Sequence, residues 1–521
     1  MQTLAELLVR SSQAFSSQVA FQIKAGNSYR QISFSQTLEL AKKLQAKLFE
    51  LGVKKGDKVG LLSENRPEWP IAYLAITSFG AIVVPLDAML TKEEIIPLLD
   101  DCGASLILLS QKFTDFVSGH TLENKKLFLD DIGHCPPEAD PPLAETFLPR
   151  PDDVAAIVYT SGTTGLAKGV TLTHQNIVSN VLAVASCFDL GPKDNFLSVL
   201  PLHHTFETTA GFLAPFYCGC LITYSESLKS YHLLANMQET GVTVICGVPL
   251  LYQLFYDGIM REVQDKKLEK IFSGLFFLSG LARKLIGINI GKLLFKTAHK
   301  KFGGKISFFV AGGAAIDPAL INNFDLMGFT ILQGYGLSES SPILSCNTLK
   351  ANKIGSVGRP IPGVEIKIAG TDPVGEILAF GPNIMKGYYR KKELTSRVVI
   401  NGWLYTGDVG YLDEEGYLFI TGRSKDVIVT PAGVNVYPEE IEAALNKYSQ
   451  IKESAVLGSD QVFAVIVSDA SQEEIAALVN EFNAQVAEFK RIKKFEVRKE
   501  ELPKTRLKKI KKFELKKELG L

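Results

Sequence analysis

Cysteine is sparse in this chain: seven in 521 residues, at positions 102, 135, 187, 218, 220, 246 and 346. The only close pair, Cys218 and Cys220, lies in an apolar run with no partner ligands nearby. This argues against a disulfide framework, and the thiols read as reduced, mostly buried groups of a cytoplasmic protein. Charge of one sign is also lacking. The 56 Lys and Arg balance 56 Asp and Glu, so no overall field recruits nucleic acid or an anionic membrane. No run reaches the ~18 apolar residues of a spanning helix. The apolar segment from Phe272 to Phe295 is interrupted by Arg283, Lys284 and Lys292, which leaves open a peripheral position on a membrane surface. The first ten residues carry Glu6 and Arg10 among apolar ones, the start of an amphipathic helix rather than a signal peptide.

What is present is the composition of a soluble globular protein, 46% hydrophobic and 21% charged. Its length calls for two or more domains. Up to about residue 150, helical and strand-like patterns alternate. The helical patterns are Phe34 to Leu48, Ile71 to Phe79 and Glu93 to Leu99. The strand-like ones are Lys58 to Leu62, Ala81 to Pro85 and Ser105 to Leu109. That alternation predicts a parallel sheet with crossover helices. Residues 134–153, rich in Pro and acid, read as a surface connection.

The apolar run Val154 to Val158 then leads into Tyr159-Thr-Ser-Gly-Thr-Thr-Gly-Leu-Ala-Lys168. Beyond it, Ile177, Val181, Leu182 and Val184 fall at helical spacing. Gly162 and Gly165 let the backbone approach a ligand closely. Thr160, Ser161, Thr163 and Thr164 add hydroxyls, and Lys168 adds a mobile cation. Such a loop can wrap phosphates. It is not the P-loop of nucleotide hydrolases: Ala167 stands where the second Gly belongs, and Gly169 where the Mg-binding hydroxyl belongs.

Further groups follow in order. Pro201-Leu-His-His-Thr-Phe206 carries His203 and His204. The runs Ala210 to Tyr224 and Val242 to Phe255 are apolar, with Gly211, Gly219, Gly241 and Gly247 interspersed, a pattern that suits a hydrophobic cleft. A predicted strand, Lys305 to Val310, ends at Gly312, Gly313 and Ala314, which could lie flat against adenine. A second, Thr330 to Leu332, runs into a loop of Gln333, Gly334, Tyr335, Gly336, Ser338 and Glu339. There Tyr335 can stack on a base and Glu339 can hold Mg²⁺. Short strands separated by Gly and Pro turns predict a small β-barrel-like subdomain over 350–421. It contains Asp408, which suits the hydroxyls of a ribose, and Arg423 stands just past it.

These motifs, in this order, resemble the acyl-adenylate-forming superfamily of acyl-CoA synthetases, luciferases and peptide-synthetase adenylation domains. The phrases around Gly312 and Tyr335 are similar to those of long-chain fatty acyl-CoA synthetases. The resemblance implies an α/β fold: a large N-terminal domain over 1–422, built of parallel-rich sheets with crossover helices plus the barrel-like subdomain, a hinge at 423–428, and a small mobile α+β domain over 429–521. It implies ATP, Mg²⁺ and coenzyme A, and a fatty acid or other carboxylate substrate. Phosphates fall to Thr160 through Gly165 and Lys168, Mg²⁺ to Glu339 with Thr163 or Thr164, and adenine to Gly312, Gly313, Ala314 and the loop from Gln333. Asp408 and Arg423 take the ribose, and His204 sits beside the carboxylate. Lys425 marks the hinge, and Gly433 approaches in the thiol step. The family's last motif, Pro-x-Thr-x-x-Gly-Lys-Ile, aligns on Pro503, Thr505 and Ile510. Lys509 thereby becomes the adenylation lysine, with Lys508 in place of the usual Gly. The alternatives are an acyl-carrier-protein synthetase, an aryl-CoA ligase, or a catalytically silent acyl-binding relative. A nucleic-acid partner is not expected.

Overall fold

The computed structural model describes residues 1–134, 148–160, 167–286, 288–424, 426–429, 435–458, 461–504 and 510–520. Two compact units divide the chain. One comprises Met1–Glu365 with Ala379–Leu404, the other Ile366–Leu378 with Tyr405–Leu521.

The alternating pattern of the first hundred residues forms as expected. Ser33 caps the helix Phe34–Glu50 with Gln36 returning the bond, and Gly52 at φ +75° stands just past its C-cap. Strands Lys58–Leu62, Ile82–Leu86 and Ala104–Leu109 pair in parallel through crossover helices. The helix Glu68–Ser78 between the first two of these strands is apolar on every side, and every one of its residues is buried. Its Trp69 and Tyr73 stack on each other and meet the edge of Phe212.

Among the described residues this sheet has seven strands, and Val154–Thr160 and Lys168–Thr173 extend it as an antiparallel hairpin. The phosphate loop therefore joins two strands, and its helix, His174–Cys187, begins only after the second. One of the seven is the short edge strand Gly387–Tyr388, antiparallel to Lys168–Thr173 with Tyr388 opposite Val170.

A second sheet of nine described strands carries the Gly312 and Gln333 motifs. Asn195–Ser198, Val244–Gly247, Phe308–Ala311 and Ile331–Gly336 run parallel in neighbouring positions. The last of these is longer than the sequence suggests. Gln333 through Gly336 continue the strand because Gly334, Tyr335 and Gly336 pair antiparallel with Ile343–Cys346. A Cβ at Gly336 would strike the Pro342 carbonyl, so the pairing itself requires glycine there.

At three of the glycines interspersed in the apolar runs the space is filled. A Cβ on Gly211 would meet the Glu207 carboxyl group, one on Gly219 the Phe15 ring, and one on Gly247 both Leu251 and Tyr252. Gly241, at φ +67°, ends the helix Ser230–Thr240. Gly211, Gly219 and Gly247 thus admit neighbouring side chains, and Ala210 to Tyr224 is largely buried, while Leu250 and Leu254 of the second run are exposed.

In the second unit, Glu453–Leu457, Val462–Val467 and Ile492–Arg498 form a sheet. Helices Pro438–Leu445 and Gln472–Gln485 bury Ile441, Leu445, Ile475 and Val479 in a core with Val456 and Ile466.

Candidate active site

Lys168 opens its strand at the mouth of the phosphate-loop hairpin, opposite Thr160, whose hydroxyl is 3.5 Å from the Lys168 carbonyl. Its Nζ stands 5.3 Å from the centre of the Tyr388 ring, within cation–π range. The Tyr388 hydroxyl donates at 2.8 Å to Glu339 Oε1. Burial and the adjacent Glu339 carboxylate push the Tyr388 phenol far up, so it stays a donor at any physiological pH. Lys168, Tyr388 and Glu339 thus form one chain of contacts between the loop and the acid expected to hold Mg²⁺.

Glu339 lies in the one-turn helix Ser338–Ser340, which follows the Ile331–Gly336 strand, and its carbonyl accepts from the Met385 amide. Ser338 Oγ is 3.3 Å from Thr205 Oγ1, which brings the His204 segment to the same turn. His204 and His203 are half-buried with rings 4.2 Å apart, and His203 Nε2 faces Asp87 at 3.8 Å. Phe206 from this segment covers Gly312, where a Cβ would approach the ring to 2.9 Å. One face of the predicted adenine platform is therefore already occupied, while Gly313, at φ +79°, and Ala314 are exposed beyond it. Gln333, opposite Ala311, is buried, and its Oε1 has no hydrogen-bond partner among the described residues. An orphaned acceptor here fits an N–H donor such as an adenine amino group.

Asp408 and Arg423 stand opposite each other in paired strands of the second unit, with Arg423 Nε 3.1 Å from the buried Asp408 carboxylate. The two predicted ribose ligands therefore meet each other. Ser161, Gly162, Thr163, Thr164, Gly165, Lys425, Gly433 and Lys509 lie outside the described residues. Lys509 is bracketed by Lys504, which pairs with Ile510 in a bridge and with Glu453 at 2.7 Å.

Among the described residues no group of three or more His, Cys, Asp or Glu side chains could hold a metal. A lone carboxylate at Glu339 fits Mg²⁺, which keeps several waters and takes its remaining ligands from phosphates. Sequence reasoning missed three residues here. Tyr388 orients Glu339, Lys391 Nζ donates to the Ala167 carbonyl at 2.8 Å at the end of the loop, and Thr205 holds Ser338. The only local signal was the aromatic pair after Gly387, which reads equally well as a β-turn.

The pattern of the AMP-binding enzymes matches residues 8–389, and that of the AMP-binding enzyme C-terminal domain matches 440–509. The 2-succinylbenzoate–CoA ligase of Bacillus velezensis is 31% identical, over 87% of each chain. The long-chain-fatty-acid–CoA ligase of Bacillus subtilis is 29% identical over 96% of this chain and 92% of its own. The crystal structure of ATP-bound MatB from Rhodopseudomonas palustris superposes with a TM-score of 0.80 at 25% identity, covering 99% of this chain and 98% of that one. By motif order, fold and family match, the chain belongs to the AMP-binding, acyl-adenylate-forming enzymes.

Proposed function

We propose that the protein is an AMP-forming ligase that activates a long-chain fatty acid and passes the acyl group to coenzyme A. The observation that carries this reading is the contact chain Lys168–Tyr388–Glu339, set beside Thr205 and His204. It gathers a cation, an oriented carboxylate and a histidine at the mouth of a hydroxyl-rich loop. In the first half-reaction the carboxylate attacks the α-phosphorus of ATP, giving acyl-AMP and pyrophosphate. In the second, a thiol displaces AMP and loses its proton. Negative charge builds on phosphate in the first transition state, so cations placed there do most of the work. Lys168 and the loop hydroxyls hold the outer phosphates, and Lys509 serves the adenylation step. His204 orients the carboxylate. Glu339 would hold Mg²⁺, which adds positive charge at the phosphate oxygens when bound. Asp408 and Arg423 receive the ribose, and the segment around Gly433 serves the thiol step after movement about 423–428.

The long-chain assignment is supported by the Bacillus subtilis relative, which matches over nearly the whole chain. A specific observation favours a second reading, an aryl-CoA ligase. The 2-succinylbenzoate relative is slightly more identical, and the glycines that could have opened an acyl cleft are filled by side chains. The test is incubation with ATP, Mg²⁺, CoA and either a chain-length series of fatty acids or a set of aryl acids, following AMP and acyl-CoA. Acyl-CoA peaking with long chains supports the first reading, and turnover confined to aryl acids replaces it with the second. AMP without acyl-CoA moves the acceptor to a carrier protein.

A further inference from the structure

The helix Glu269–Ile286 has two apolar faces, and only one of them packs on the protein. On the inner face Phe272 and Phe276 meet Phe295, Ser279 Oγ donates to the Leu326 carbonyl at 2.7 Å, and Arg283 pairs with Asp325. At 100° per residue, Ile271, Phe277, Leu278, Leu281 and Leu285 fall together on the opposite arc. All five are exposed, Phe277 by 68% and Leu285 by 71%. The exposed apolar surface continues beyond the helix through Ile288, and Leu293 is 75% exposed. Single exposed leucines need no explanation, but a contiguous run of this kind does.

Charge identifies the occupant. Although the whole chain is neutral, residues 266–305 hold ten Lys or Arg against a single acid, Glu269. Lys266 and Lys301 pair with Glu262, and Arg283 with Asp325. Lys292, Lys296 and Lys300 have no carboxylate partner among the described residues, and they line an open groove of about 690 Å³ together with Ile290 and Leu293. An apolar arc followed by unpaired lysines suits an anionic bilayer, whose acyl region takes the leucines and whose phosphates take the ammonium groups. No helix among the described residues is long and apolar enough to cross a membrane, so the segment would lie in the interface.

We propose that the helix Glu269–Ile286 and residues 288–300 dock this protein on anionic phospholipid surfaces, with the Phe277–Leu285 arc inserted and Lys292, Lys296 and Lys300 facing lipid phosphates. The test is co-sedimentation of the full chain with vesicles of phosphatidylcholine alone or mixed equally with phosphatidylglycerol. Binding to the mixed vesicles should exceed binding to neutral ones at least ~10-fold and weaken with salt. F277D/L285D should lower it ~10-fold or more at an unchanged melting temperature, because both side chains are exposed. K292A/K296A/K300A should remove the preference for anionic lipid while leaving weak binding to both. Wild-type binding that ignores lipid charge, or an F277D/L285D variant that binds like wild type, overturns the proposal. So does a dimer in sedimentation velocity that F277D/L285D dissolves, which would make the occupant a second copy.

Discussion

Replacing Tyr388 by Phe removes one oxygen and keeps the ring. The hydroxyl gives Glu339 a hydrogen bond at 2.8 Å, while the ring faces Lys168 at 5.3 Å. A hydrogen bond to a charged group is worth ~1.5–3 kcal/mol, because a half-buried carboxylate that loses its donor regains little from solvent. If Glu339 holds Mg²⁺, its orientation matters more in the transition state than in the resting enzyme. Y388F should therefore lower kcat/KM for ATP–pyrophosphate exchange roughly 10- to 150-fold. Y388L, which also removes the cation–π contact, should cost a further two- to fivefold or so, since such contacts are worth ~0.5–1 kcal/mol.

A purely structural role for Tyr388 would give a different signature. Its hydroxyl then matters for stability alone, and the exchange activity of folded Y388F equals that of wild type. The discriminating readout is the Mg²⁺ concentration that half-saturates exchange, which should rise in Y388F and recover in part at high Mg²⁺. Exchange within twofold of wild type at every Mg²⁺ concentration would refute the claim that Tyr388 positions Glu339.

Three other outcomes are expected. K509A should abolish pyrophosphate exchange yet leave thiol transfer from pre-made acyl-AMP largely intact, and equal loss of both steps would rule out separate roles for Lys509 and the Gly433 segment. His174, fully buried at the start of its helix, accepts from the Leu4 amide at 3.2 Å through Nδ1 and is pushed down to about 4 by burial. The unfolded chain binds that proton near pH 6.5 and the folded one does not, so in urea denaturation the His174 contribution, read as wild type minus H174Q, should fall by up to ~3 kcal/mol between pH 6.5 and 4. H174Q should remove that slope. Glu207, buried with Ser198 Oγ donating at 2.6 Å, is pushed up to about 8 by burial, so the folded state keeps a proton that the unfolded state loses above ~4.5. The Glu207 contribution should fall as pH rises from 4.5 to 8, and E207Q should exceed wild type by on the order of 4 kcal/mol at pH 8 while matching it near pH 4.

The sequence made the parallel core legible because each strand and helix there carries its own period and its own stop signals. Ser33 with Gln36 and Gly52 mark the ends of one helix, and the apolar stretch within Glu68–Ser78 marks a buried one. The candidate site reads as motifs, since Lys168, His204, Ser338 and Glu339 each sit in a distinctive local string. What could not be read was what holds them. Tyr388 reaches Glu339 across 49 residues through a two-residue strand too short to show any period, and Thr205 reaches Ser338 across 133. Glycine misled for the same reason. At Gly211 and Gly247 its missing side chain looked like room for a ligand, but whether space stays empty depends on Glu207, Leu251 and Tyr252, which the tertiary fold turns into it. At Gly336 the missing side chain serves backbone pairing, so a motif glycine that reads as a ligand contact can also be a requirement of the sheet. Glu207 ties these points together. It stands three residues after His204, fills the notch at Gly211 and keeps its proton at neutral pH. The space at Gly211 is therefore taken by a carboxylic acid that the local string gave no reason to single out.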